Sequence, residues 1–425
     1  MSSPRVRIDL TPLRTNNAFR VLFSGGLITS LGSMVTYVAI PLQIAQLTGS
    51  FLAVGLVGLA ELLPLIIFGL YGGSLADRID RRRMIIVGEI AAGLVVTCLA
   101  INSLQASPSI AVIYAAAMAF AVVDGLQRPS LEATLPRIVS HDDLSAASAL
   151  NSLRMSLSAI AGPAIGGVVF AAFGPAIAYG VDAATFLISV FIFTRLPPMV
   201  RRTTQAGREG DGNLRHIWEG VRYAVRRRDI LGTYAVDLAA MTFAFPIALF
   251  PFIAEEFEAS WALGLLYSAQ FVGAAVFGLT SGWASRIRHH GRAVAIAAAL
   301  WGAAIGLIAV SPGLAGVLAL LMVAGYFDMV SGHFRLLMWN QSIPDHMRGR
   351  MGGIEMLSYS IGPMLGQVRS TSAAQLMGLR GSFATGGIMC IAAVGVVCWS
   401  IPALWRYDAT TDIHVQQRRD ESDDE

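Results

Sequence analysis

The chain has 425 residues, of which 55% are hydrophobic and only 14% charged. Soluble domains carry about 25% charged residues, so this composition, with a mean hydropathy of +0.60, excludes an ordinary soluble protein. The formal net charge of +3 is too small for a nucleic-acid surface, and no nucleic-acid partner is expected.

Every basic residue is arginine. Without lysine no phosphate loop ending in Gly-Lys can form, so ATP-driven pumping by this chain alone is not expected. Cys98, Cys390 and Cys398 lie in apolar runs without metal-ligand spacing. No metal, cofactor or disulfide framework is implied, and no catalytic triad context appears, so the chain does not read as an enzyme.

Arg5, Arg7, Arg14 and Arg20 precede the first apolar run, which is too long for a cleaved secretory peptide. A membrane span needs about 20 apolar residues. Twelve stretches qualify, at roughly 19–45, 52–76, 83–102, 109–127, 144–172, 176–195, 229–254, 262–285, 292–310, 313–338, 350–370 and 382–404. The expected fold is therefore an all-α membrane protein with twelve transmembrane helices.

The links set the orientation. Those after odd-numbered spans are short and nearly free of arginine, and the link after the seventh carries Glu255, Glu256 and Glu258. Those after even-numbered spans hold Arg78 to Arg83, Arg137, then Arg286, Arg288 and Arg292, then Arg348 and Arg350. Basic loops stay in the cytoplasm, which puts both termini there; Arg369 and Arg380 run against the bias. The longest link divides the chain into a bundle over 1–195, a cytoplasmic linker over 196–228, a second bundle over 229–406 and an acidic, disordered tail over 407–425. Apolar residues at helical spacing in 213–225 predict a surface-lying helix in the linker.

Two motifs carry the functional signal. Between spans two and three runs Gly73-Ser-Leu-Ala-Asp77-Arg78-Ile-Asp80-Arg81-Arg82-Arg83, and inside span five lies Gly162-Pro163-Ala-Ile-Gly166-Gly167. Each has a weak echo in the second half, at Trp283-Ala-Ser-Arg286 and Gly362-Pro363-Met-Leu-Gly366, which argues for two repeated, pseudo-symmetric six-helix bundles. Pro163 removes a helix hydrogen bond and bends its span, and the glycines let a neighbouring helix approach closely.

These motifs resemble the major facilitator superfamily over essentially the whole chain, with Asp80 where glycine is more usual in the loop motif. The Gly-Pro motif resembles the fifth-span signature of its drug–proton antiporter branch, with Ser158 in place of that pattern's first glycine. Leu10-Thr-Pro-Leu-Arg, Val38-Ala-Ile-Pro-Leu-Gln-Ile44 and Leu263-Gly-Leu-Leu-Tyr-Ser-Ala-Gln resemble enterobactin exporters, and macrolide and multidrug exporters share much of this. The resemblance implies that Asp77 faces the N-terminus of the eleventh span and that Arg81 can pair with Asp124 on the fourth. Together with Arg78 and Arg82 these residues would form a cytoplasmic gate.

Ionisable groups within a bilayer cost about 2.5–3.5 kcal/mol even on the gentler scale, so they mark cavities or partners. Glu61, Arg154, Asp237, Asp328 and Glu355 fall inside spans two, five, seven, ten and eleven, helices that line the central cavity in the resembled fold. The acids can carry a proton, and Arg154 can bind an anionic substrate or balance Glu61 or Glu355. Glu89 and Asp182, on spans three and six, read as structural.

The sequence thus reads as a monomeric proton-coupled exporter of the bacterial inner membrane. Its partners would be an amphipathic small molecule (a siderophore or a drug), protons and the lipid bilayer. An importer of the same fold, or a non-transporting receptor or assembly protein, are the alternatives.

Overall fold

The computed structural model describes residues 9–76, 79–199, 222–223, 225–343, 345–412 and 416. Among them there is no strand. The long helices are α1 (Asn17–Thr48), α2 (Phe51–Ala76), α3 (Arg81–Ser103), α4 (Ile110–Glu132), α5 (Leu144–Phe193) and α6 (Arg228–Ala244). They continue with the short α7 (Phe250–Glu256), then α8 (Leu263–Thr280), α9 (His290–Leu307), α10 (Leu314–Ser342), α11 (Asp345–Ser400) and the short α12 (Pro402–Arg406).

Ten helical stretches among the described residues are long and apolar enough to cross a membrane. Their outer faces carry large apolar side chains that water would not tolerate together: Leu187 is 74% exposed, Leu279 88% and Trp399 83%. Apolar surface on that scale belongs against lipid. Prolines inside α1, α2, α4, α5 and α11 are tolerated because neighbouring groups in a membrane bundle can re-satisfy the freed carbonyls.

Two helices are broken within their length. Gly174 in α5 (φ 81°, ψ 176°) and Gly378 in α11 (φ 79°, ψ 168°) leave helical geometry. That region is essentially closed to any residue with a Cβ. Pro175 follows the first break, where its fixed φ suits the first turn of a new helical arm.

The chain forms two compact units. One comprises Met1–Leu47, Leu63–Gln205 and Ser260–Gly264; the other Thr48–Leu62, Ala206–Ala259 and Leu265–Glu425. In the first, α3 packs between α4 and α5, and in the second α6 runs along α11 while α9 packs between α10 and α11. The start of α2 thus belongs with the second unit and the short turn before α8 with the first. The cores are small and aliphatic-aromatic: Val21, Ile85, Phe193, Leu196 and Met199 cluster in the first unit.

Candidate transport site

In the second unit, α6 and α10 bring opposite charges together away from water. Asp237 on α6 and Arg335 on α10 form an ion pair, each side chain 4% exposed. Ser358 on α11 donates its hydroxyl to Asp237 Oδ2 at 3.1 Å, so three helices meet at one carboxylate. Asp328 lies on α10 seven residues before Arg335, two turns away and hence on the same face. It is half-buried, and the charges acting on it are the attractive Arg335 and the repulsive Asp237. Arg335 thus has Asp237 as its ion-pair partner and Asp328 as a neighbouring acid. Glu61 is half-buried in the α2 segment that belongs to this unit. Glu355 lies on α11, and its side chain falls outside the described residues.

In the first unit, Arg154 on α5 is held by neutral acceptors. Its guanidinium donates to the Gly26 carbonyl at 2.7 Å, to Ser30 Oγ at 2.6 Å and to Asn151 Oδ1 at 3.1 and 3.0 Å. Among the described residues no carboxylate pairs with it. The two acids read as structural are each enclosed by neutral donors. Glu89 accepts from Thr29 at 2.7 Å, from Gln127 at 3.0 Å and from Ser189. Asp182 accepts from Thr36 at 2.5 Å and Thr185 at 3.1 Å. These bonds tie α1, α3, α4 and α5 to one another.

The loop motif is only partly described. Gly73 falls in the last turn of α2, while Asp77 and Arg78 lie outside the described residues. Asp80 caps α3, accepting from the backbone N–H of Arg82 at 2.8 Å and of Arg83 at 3.4 Å, the usual service of an aspartate at that position. Arg82 donates to the Thr194 carbonyl. Arg81 donates to the Ala133 carbonyl at 2.6 Å, while Asp124 pairs with Arg128 at 4.0 Å one turn along its own helix. An Arg81–Asp124 pair is therefore not formed. Asp124 sits nine residues inside α4 from Ala133, about 13 Å along the axis, and its side chain is 57% exposed.

The Gly-Pro motif packs as its composition suggests. A Cβ at Gly162 would meet Met34 of α1, and one at Gly166 would meet the Val35 backbone. In the second unit Gly362 and Gly366 meet Met241 of α6 in the same way. Pro163 is buried, and Gly167 packs on the backbone of Gly264, whose own Cβ position is filled by Pro163 and Ala164. Met34 and Met241 are thus equivalent positions, and four residues before each stand Ser30 and Asp237. One half presents a hydroxyl to Arg154 where the other presents a carboxylate to Arg335.

The family model described as transmembrane secretion effector matches residues 8–419. The chain belongs to that family, within the major facilitator superfamily. Among curated proteins it is similar to the enterobactin exporter EntS of Salmonella choleraesuis (strain SC-B67), 29% identical over 354 residues, 82% of this chain and 83% of that protein. EntS of Shigella boydii serotype 18 is 29% identical over the same shares. Among solved structures it shares its fold with the nucleoside transporter NupG, at TM-score 0.69 and 12% identity over 92% of this chain and 100% of that one. A bacterial homolog to the human lysosomal transporter Spinster gives TM-score 0.68 and 14% identity over 91% and 95%.

This member of the transmembrane secretion effector family is accordingly a multi-pass membrane transporter and not an enzyme. Sequence reasoning picked Asp237 and Asp328 but not Arg335. The seven-residue interval between Asp328 and Arg335 was the signal that placed both on one helical face. Ser358, one turn from Glu355, carries no sequence signal of its own; only the proximity of α11 to α6 gives it a role.

Proposed function

We propose that this transporter exports an amphipathic small molecule from the cytoplasm in exchange for protons. The observation that carries the reading is the buried cluster of Asp237, Asp328 and Arg335. Two carboxyls competing for one guanidinium in a low-dielectric setting form a proton-responsive switch. With Arg335 on Asp237, Asp328 is the acid less well compensated, and transfer of Arg335 to Asp328 would exchange their places. Movement of α10 against α6 would thereby be linked to proton binding.

The kinked arms of α5 and α11 count as two spans each, giving twelve helices in two six-helix bundles. Rocking of the two halves would supply alternating access. Both termini lie in the cytoplasm of a bacterial inner-membrane protein, and the chain works as a monomer. Arg154, held by neutral ligands, contributes a positive charge for cargo, and the Asp77–Arg82 loop with Asp124 serves as the cytoplasmic gate. The similarity to proteins named enterobactin exporters favours a siderophore-type cargo, with drug-like molecules as the second class.

The test is uptake into inverted vesicles carrying the chain. An imposed proton gradient should drive accumulation of at least one member of a panel of catecholate siderophores and amphipathic antibiotics, and an uncoupler should abolish it. Asp328→Asn and Asp237→Asn should each lower the gradient-driven rate by at least tenfold while the protein remains folded. Full gradient-driven transport by both variants places coupling elsewhere.

A further inference from the structure

A cavity of about 540 Å³ opens between α9 and α10 beside the turn joining α8 to α9. It is lined by Arg286, Arg288 and Arg292 and by the apolar side chains of Ile296 and Leu300 of α9 and Phe327 of α10. No aspartate or glutamate lines it. Arg286 and Arg288 make no ion pair among the described residues. Arg292 is braced, its Nε donating to the Trp405 carbonyl at 3.1 Å and its guanidinium lying 5.7 Å from the Trp405 ring centre.

Arg292, Ile296 and Leu300 follow one another at intervals of four and so form a single stripe along α9. The stripe runs about 12 Å from its charged end to its apolar end. Ile296 is 50% exposed and Leu300 41%, within a helix apolar enough to span a membrane. A freely soluble anion matches the three guanidinium groups but leaves the wall uncovered; a neutral lipid covers the wall but leaves the cations unmatched.

We propose that this cavity is a binding site for an anionic phospholipid. Its phosphate sits among Arg286, Arg288 and Arg292, and one acyl chain lies along Ile296, Leu300 and Phe327. Guanidinium groups bind phosphate oxygens in bidentate fashion, and basic pockets between spanning helices are suited to anionic headgroups. The assignment uses the membrane-spanning character of α9 and α10 and is independent of cargo and coupling.

Native mass spectrometry of the detergent-purified full chain, titrated with phosphatidylglycerol or chain-matched phosphatidylcholine, tests it. Phosphatidylglycerol should be retained in preference to phosphatidylcholine. Each Arg→Gln change at 286, 288 and 292 should weaken that retention about fivefold. Leu300→Trp, which fills the groove without touching the charges, should weaken it as well. Size-exclusion profiles control for folding, and Arg286→Gln, at an exposed position, serves alone if the other variants do not fold. Equal retention of the two lipids, unchanged phosphatidylglycerol binding in Arg286→Gln or Leu300→Trp, or displacement of the lipid by millimolar inorganic phosphate would each overturn the assignment.

Discussion

Asp237→Asn removes one charge from the α6–α10 pair with little change of size or shape. The asparagine oxygen can still accept from Ser358, so the change isolates the ion pair from the hydrogen bond beside it. Both partners are 4% exposed, so Arg335 would be left as a buried cation without its aspartate. Removing one member of a buried pair costs about 3–5 kcal/mol. Arg335→Met keeps side-chain length and should cost a similar amount. The double variant, with both charges gone, should cost markedly less than the sum, giving a coupling energy of about 2–3 kcal/mol in the usual range for contacting residues. Denaturant unfolding of the purified protein, read as a double-mutant cycle, measures this. The same double variant should transport little, because Asp328 is then left with no guanidinium to exchange. Single-variant costs below about 1 kcal/mol, the range of exposed pairs, would refute a desolvated pair. A transport-competent double variant would remove the pair from coupling.

Three further outcomes follow from local geometry. Gly167→Ala places a methyl against the Gly264 backbone and should destabilise the first unit by about 1–3 kcal/mol, whereas Gly180→Ala meets nothing within 4 Å and should leave the unfolding midpoint unchanged or raised. Gly174→Ala and Gly378→Ala force a Cβ into a backbone region reserved for glycine and should each cost about 1–3 kcal/mol, visible as a lower thermal midpoint. Asp80→Ala should cost about 1 kcal/mol through loss of the α3 cap, and Asp80→Ser should restore most of it; equal stability of the two variants would mean that the cap contributes nothing.

Much of this was readable from residue order. Apolar runs gave the spans because a bilayer demands about 20 such residues in a row. The breaks at Gly174 and Gly378 fall where the sequence reading separates span five from six and span eleven from twelve. Asp237 and Asp328 were legible because charge is rare in such runs. Arg335 was passed over because it stands near the end of its expected span, and depth along a helix cannot be read from sequence when that end is uncertain by several residues. Arg154 was legible as a buried cation, but its neutral ligands Gly26 and Ser30 were not, since they lie on another helix. Asp80, an apparent departure from a loop pattern, became intelligible once it was seen to cap α3. The pairing expected for Arg81 and Asp124 is replaced by other partners that sequence order does not reveal: the Ala133 carbonyl for Arg81 and Arg128 for Asp124.

The most direct test of the account is proton movement itself. Purified protein is reconstituted in vesicles holding a pH-sensitive dye, and a cargo gradient is imposed with no initial pH difference. The account predicts that cargo flow in one direction drives protons in the other, that Asp328→Asn abolishes the dye signal, and that Gly180→Ala leaves it intact. Cargo flux without any proton movement, or an unaltered dye signal in Asp328→Asn, would contradict it.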